Sequence, residues 1–128
     1  MVAGVRRPVS LLVAAAVVAL EGVIALALGG FVAVNTLLGE ATVVTTALAE
    51  AAFGLGLGAG LLWVAYGGLL KAERWGRAPG VLAQIFLIPV AGTVLMERPA
   101  IGVPLIVIAL AGLVALLAPS TTQALYGD

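Results

Sequence analysis

Residues 9–34 read VSLLVAAAVVALEGVIALALGGFVAV, and the carboxylate of Glu21 is the only charged group in this stretch. The stretch exceeds the roughly 20 residues that a helix needs to cross the hydrocarbon core of a bilayer. An ionisable side chain in the middle of such a helix is costly, so its presence indicates a function or a dedicated hydrogen-bond partner. The way in which Glu21 is accommodated therefore bears on both fold and function.

The whole chain shares this apolar character. Of its 128 residues, 63% are hydrophobic and only 9% are charged, whereas soluble domains carry about 25% charged residues. A domain of this size cannot bury so many apolar side chains in a core of its own. We therefore expect a multi-pass integral membrane protein of the plasma membrane, with membrane lipids as its first partners.

Charge and residue types exclude several classes of function. The formal net charge is zero, which argues against nucleic acid as a partner. The chain has no cysteine and no histidine, so disulfides, thiolate chemistry and histidine-ligated metals are absent. No constellation of a nucleophile, base and acid is recognisable. We expect no catalytic residues, no metal site and no cofactor, and hence no enzyme.

Four apolar segments, separated by the only polar clusters, predict the architecture. Their length and their Ala, Leu, Gly and Val content favour helices, because barrel strands would show short alternating segments. The fold class predicted is all-α, an integral membrane four-helix bundle forming a single transmembrane domain over residues 1–128. The predicted helices cover residues 9–34, 44–70, 79–96 and 101–118.

The basic residues predict an orientation. Cytoplasmic loops of membrane proteins carry an excess of Lys and Arg. Five of the six basic residues fall on one side of the predicted bundle, and both termini are then cytoplasmic. These five are Arg6, Arg7, Lys71, Arg74 and Arg77, whereas Arg98 lies on the other side with Glu97.

Glu21 has no basic partner inside any predicted span. Removal from water disfavours the charged form of a carboxyl, so we expect a neutral Glu21 that donates a hydrogen bond. Two acceptors lie at similar depth in the third helix: Gln84, and the carbonyl of Ile85, which Pro89 leaves without its usual helical donor. Two interpretations stay open, a neutral link between helices and a proton- or cation-coupled site.

The second helix carries four alternating glycines, Gly54, Gly56, Gly58 and Gly60. Successive members lie about 200° apart around a helix axis, so two opposite sides of the helix lack side chains. Close backbone approach at such sites is typical of helix packing in membranes. We expect this helix to be held between two neighbours, with Glu50 near the outer interface, facing headgroups or water.

Residues 14–28, with Glu21 at their centre, resemble the first helix of the small multidrug resistance transporters. In that family of four-helix proteins the equivalent carboxylate binds a proton or a cationic drug, and two copies form the working unit. The resemblance implies a coupling role for Glu21 and a homo-oligomer. The chain departs from the family in its scarce aromatic residues, three Phe, two Tyr and two Trp, and in its glycine-rich second helix.

A second resemblance lies in residues 75–91, WGRAPGVLAQIFLIPVA. This basic loop followed by a helix with Gln and Pro is similar to small, uncharacterised integral membrane proteins of actinobacterial type. It implies the same four-helix fold and no activity. From the residues themselves we expect an accessory or scaffold subunit, or a homo-oligomer, that acts by helix packing. The alternative is a proton-coupled transporter of cationic or lipophilic molecules with Glu21 as the coupling carboxylate.

Overall fold

A computed structural model describes residues 8–127, and Arg6 and Arg7 lie outside this range. The described chain is helical with short connections and contains no strand between residues 8 and 127. Four helices are long and apolar enough to cross a membrane. The helices are α1 (Val9–Leu37), α2 (Val44–Trp63), α3 (Arg77–Glu97), α4 (Pro99–Leu117) and α5 (Pro119–Tyr126).

The bounds of α1, α3 and α4 lie within three residues of those predicted, whereas α2 itself ends seven residues before the predicted residue 70. α2 continues directly into a wider π-helical segment, Val64–Leu69, and a short 3₁₀ turn, Arg74–Gly76, leads into α3. The apolar pattern does not predict α5, whose eight residues include Ser120, Thr121 and Thr122. A proline at its first position and Gly127 in a left-handed conformation after its last turn delimit this helix.

The four long helices form two hairpins. α1 packs mainly against α2, α3 packs mainly against α4, and the hairpins meet where α1 lies against α4. Within the described range α2 itself makes no extensive contact with α3 or α4, whereas the π-helical segment that continues it contacts α3. The contact between α1 and α3 is narrow by comparison, and this narrow contact contains the pair formed by Glu21 and Gln84.

The apolar core is concentrated at the end of the bundle that carries α5. At this end the start of α1, the π-helical segment and the end of α4 converge, and α5 covers them. Because the core is built from small and medium side chains, the backbones approach closely. Its members are Leu11, Ala14, Ala15, Val18, Leu61, Val64, Ala65, Leu69, Ala115, Leu116 and Leu125.

Aromatic and basic side chains gather around the same end. The rings of Trp63 and Trp75 lie 4.9 Å apart between centroids. The guanidinium groups of Arg74 and Arg77 lie 5.6 Å and 5.4 Å from the ring centroid of Tyr126 on α5, within the range of cation–π attraction. The connection between α2 and α3 is thereby held against the C-terminal helix.

Candidate functional site

The structure brings two predicted site residues, Glu21 and Gln84, into direct contact. The Nε2 atom of Gln84 on α3 donates a hydrogen bond of 2.7 Å to Oε1 of Glu21 on α1. Gln84 is fully buried, whereas Glu21 is partly buried. The contact joins the two hairpins, because α1 belongs to one and α3 to the other.

The orientation of the Gln84 amide follows from its surroundings. Its Nε2 atom also lies 3.3 Å from the carbonyl oxygen of Gly80, one turn earlier in α3, and donates to it. A primary amide nitrogen carries two hydrogens, and each has an acceptor here. An amide turned the other way would set its oxygen against the Gly80 carbonyl oxygen, which would be repulsive.

Two oxygens of this pair have no hydrogen-bond partner among residues 8–127. They are Oε2 of Glu21 and Oε1 of Gln84, and both atoms are buried. Such groups are rare in native structures, because a buried acceptor without a donor costs free energy. The surrounding residues therefore leave two hydrogen-bond acceptors of the pair without a donor.

Gly112 of α4 makes room for the pair. A Cβ atom at this position would lie 3.0 Å from both Cδ and Oε1 of Gln84, and 2.8 Å from a methyl carbon of Val17. These separations are shorter than ordinary van der Waals contact, so a larger residue would displace the amide. α4 thus presents bare backbone to the polar pair, and a glycine at 112 is part of the site.

Ile85 and Pro89 were predicted to take part in this site, and both residues are exposed. Pro89 lies five residues beyond Gln84, about 7 Å along a helix axis. α3 runs through Pro89 as a single helix. The hydroxyl of Thr93 donates to the Pro89 carbonyl at 3.1 Å. The side chain that Glu21 contacts is the amide of Gln84, on the buried face of α3.

The four glycines of α2 divide into two pairs. Gly54 and Gly58 lie directly on α1: a Cβ atom on Gly58 would come within 2.7 Å of the Gly22 carbonyl oxygen. A Cβ atom on Gly54 would come within 2.8 Å of the Gly29 Cα atom. Because backbone atoms of α1 lie this close to both positions, neither has space for a side chain.

Gly56 and Gly60 form the second pair, and a Cβ atom on either would meet nothing within 4 Å. The prediction was a helix held between two neighbours. Among residues 8–127, α2 has one neighbour along its length, α1. We call the side of α2 that carries Gly56 and Gly60 the open glycine face.

Glu50, predicted near the outer interface, is exposed and lines a shallow pocket of about 370 Å³ where α1 turns into α2. Glu40 is the other carboxylate of this pocket, whose remaining polar lining comes from Asn35 and several threonines. Among residues 8–127 no three His, Cys, Asp or Glu side chains come together as metal ligands would.

One polar cluster, at the contact between α5 and α1, was not predicted from the sequence. The Thr121 hydroxyl donates to the Ala115 carbonyl at 2.6 Å and lies 2.7 Å from the hydroxyl of Ser10, which in turn lies 2.5 Å from that of Ser120. Thr121 thereby satisfies a carbonyl at the end of α4 and connects α5 to α1. The signal was the proline at 119 followed by hydroxyl residues, a common start of a helix.

No protein-family model matches this chain, and comparison with curated proteins and with solved structures gives no match either.

Proposed function

We propose that this chain is a plasma-membrane protein that acts by helix packing, as a homo-oligomer or as an accessory subunit of a larger complex. The observation that carries the proposal is the open glycine face of α2. Its partner is a transmembrane helix with small residues of its own, supplied by a second copy or by another protein.

The reasoning starts from the cost of glycine. A glycine inside a helix is less favourable than alanine by about 1 kcal/mol. In lipid this cost is offset where two backbones approach closely, because van der Waals packing drives helix association there. Gly54 and Gly58 have this use against α1. Gly56 and Gly60 repeat the same spacing of four residues on the side of α2 that faces away from α1. A helix from outside this chain would supply the close backbone packing that these two glycines lack.

The open glycine face also lacks charge. Between Glu50 and Lys71 the chain has no ionisable group except Tyr66. Apolar side chains flank the glycines, among them Phe53 and Trp63, which are mostly exposed. A partner helix can therefore lie along this side within the hydrocarbon layer and leave no charge unpaired.

Orientation belongs to the same proposal. The end that carries Lys71, Arg74 and Arg77 faces the cytoplasm, following the bias of basic residues to that side. Trp63 and Trp75 lie near this end, as aromatic residues do at membrane interfaces.

Single cysteines test the orientation, because the chain has none of its own. In intact cells Thr42→Cys should react with an impermeant maleimide and Thr122→Cys should not. The reverse labelling pattern would show the opposite orientation in the membrane.

Disulfide cross-linking tests the packing itself. Gly60→Cys on the open glycine face should cross-link under a mild oxidant in native membranes. The matched control is Gly92→Cys, at another helical glycine with open surroundings, and it should stay uncross-linked. The mass of the product separates the two sources of partner helix: twice the chain mass indicates a second copy, and any other defined mass indicates a different protein.

Equal cross-linking of the two variants, or none in either, would contradict a packing role for the open glycine face. Gly56→Leu provides a second measurement that needs no oxidant. It should reduce the oligomer mass of the detergent-purified protein, because its side chain keeps the partner helix away.

Proton-coupled transport of cationic or lipophilic molecules is a second candidate, favoured by the partly buried carboxylate of Glu21 near the middle of α1. Its test is uptake of a lipophilic cation into liposomes under a proton gradient. Wild-type protein should take up the cation and Glu21→Gln should not. Absence of uptake by the wild type would remove this candidate and leave the packing proposal untouched.

A further inference from the structure

We propose that the Glu21–Gln84 pair is a proton-binding site in which one proton, carried on Oε2 of Glu21, is donated to Oε1 of Gln84. The pair is then a closed carboxylic acid–carboxamide ring that joins α1 to α3. The inference depends on neither the packing of α2 nor transport, because it concerns the state of the pair within a single chain.

The hydrogen-bond count is the first argument. Gln84 uses both amide hydrogens, on Glu21 and on the Gly80 carbonyl. Among residues 8–127, Oε1 of Gln84 has no donor, and Oε2 of Glu21 has no hydrogen-bond partner either. A proton on Oε2 turns that atom into a donor, and Oε1 of Gln84 is the acceptor it needs. One proton therefore resolves both buried, unpartnered oxygens at once.

The geometry permits this ring. The bond from Gln84 Nε2 to Glu21 Oε1 already forms one side of it at 2.7 Å. The terminal torsions of Glu and Gln are soft, so rotation about them can turn Oε2 of Glu21 toward Oε1 of Gln84. The bare backbone at Gly112 leaves space for the amide in this position.

The charges around the pair are the second argument. On the elements that pack against Glu21, the described residues offer no cation that faces it. α1 and α4 carry no other charged residue within the described range, and those of α3, Arg77 and Glu97, are its first and last residues. On α2 the charged residue is Glu50, which is exposed. On the π-helical segment the only titratable side chain, Tyr66, is exposed. An ionised Glu21 would be an uncompensated charge in lipid, which is costly.

Other occupants fit less well. Hard metal cations take six or more oxygen ligands, and among residues 8–127 the pair offers two buried oxygens without a partner. A water molecule could donate to both oxygens, but it would leave the carboxylate charged. The proton supplies the missing donor and removes the charge in one step.

Proton binding has a structural consequence. The proton comes from bulk water, and its loss breaks the bond that Oε2 of Glu21 donates to Oε1 of Gln84 and leaves a charge between the hairpins. Because the contact between α1 and α3 is narrow and contains this pair, the bound proton stabilises the association of the two hairpins.

Infrared spectroscopy of the full-length protein in lipid nanodiscs tests the proposal. The other five acidic side chains of the chain are the same in wild type and in Glu21→Gln, so their bands cancel in the difference between the two spectra. Wild-type protein should therefore show one carboxylic-acid C=O band that shifts in heavy water and is absent from Glu21→Gln. The expected change is loss of the whole band.

Gln84→Leu then reports on the partner. Its acid band should move to higher frequency, because the carboxyl loses the hydrogen bond donated by the amide. Gln123→Leu, which replaces the only other glutamine of the chain, should leave the band in place. Absence of the acid band from folded wild-type protein at neutral pH would overturn the proposal, whether or not Gln84→Leu folds. A band that Gln84→Leu leaves unmoved would overturn the assignment of Gln84 as the partner.

Discussion

The two glycine faces of α2 have the same residue type, the same spacing of four and the same helix, yet their surroundings differ. Gly54 and Gly58 lie against the backbone of α1, whereas Gly56 and Gly60 meet nothing within 4 Å. The difference originates on α1, where Gly22 and Gly29 lie opposite the first pair. A glycine pair thus marks a place where close approach is possible, and the opposing helix decides whether it occurs.

The largest effect is expected from filling the packed face. In Gly58→Leu the new Cβ atom would lie 2.7 Å from the Gly22 carbonyl oxygen and 2.7 Å from the Leu26 amide nitrogen. These are backbone atoms that cannot move aside independently, so α1 and α2 must separate. We expect the free energy of unfolding, measured by SDS titration in mixed micelles, to fall by about 3 kcal/mol.

The control for this change is Gly56→Leu on the open glycine face. A Cβ atom at this position meets nothing within 4 Å among the described residues, and leucine is the better helix former by about 1 kcal/mol, so the unfolding free energy of the monomer should rise slightly instead of falling. An equal loss of unfolding free energy in Gly58→Leu and Gly56→Leu would contradict the difference in packing between the two glycine faces.

The second effect concerns the polar contact between the hairpins. Gln84→Leu removes the amide from a fully buried position and leaves the Glu21 carboxyl without its donor. Loss of a buried hydrogen bond with one partner left unsatisfied costs about 1–3 kcal/mol. We expect a loss of that size in the same SDS titration, and none in Gln123→Leu.

Glu21→Gln sharpens this test. An amide at position 21 can accept from Gln84 and also donate to it, as a protonated carboxyl does. Its unfolding free energy should therefore stay within about 0.5 kcal/mol of wild type. A loss as large as that of Gln84→Leu would mean that the charged carboxylate, rather than its neutral form, stabilises the contact.

The sequence predicted the four long helices well because the pattern that defines them is simple. Each is a long apolar run, and the breaks between runs carry the Lys, Arg, Glu and Pro residues. α5 was missed for the opposite reason. It is short and polar, and it is held by contacts that only the folded chain provides, such as the hydroxyl of Thr121 on Ala115.

The candidate site was predictable in part. Glu21 and Gln84 are the carboxyl and the carboxamide within the apolar stretches of their helices, and partners of this kind are expected to meet in lipid. The role of Gly112 was not predictable, because its importance comes from a neighbour 28 residues earlier in the chain, Gln84. The use of only one glycine pair of α2 within the chain also depends on distant residues, Gly22 and Gly29.

A smaller effect is expected at Gly112. In Gly112→Ala the added methyl would meet the Gln84 amide at 3.0 Å and Val17 at 2.8 Å. Both neighbours are ends of side chains and can shift, so we expect a loss of about 1 kcal/mol from slight overpacking. Gly92→Ala, where the methyl meets nothing, is the matched control for the gain in helix propensity. A Gly112→Ala variant as stable as Gly92→Ala would show that α4 leaves more space than the structure indicates.

The smallest effect separates packing from simple exposure to lipid at the open glycine face. Gly60→Ala adds one methyl that meets nothing within 4 Å in the described part of the chain, and alanine is the better helix former by about 1 kcal/mol. The monomer should therefore become slightly more stable in SDS titration. If another helix packs at this position, the same methyl keeps the two backbones apart, and the oligomer measured by mass in mild detergent should dissociate at lower dilution. A more stable monomer with an unchanged oligomer would mean that Gly60 faces only lipid. A more stable monomer with a weaker oligomer requires a partner helix that packs at Gly60.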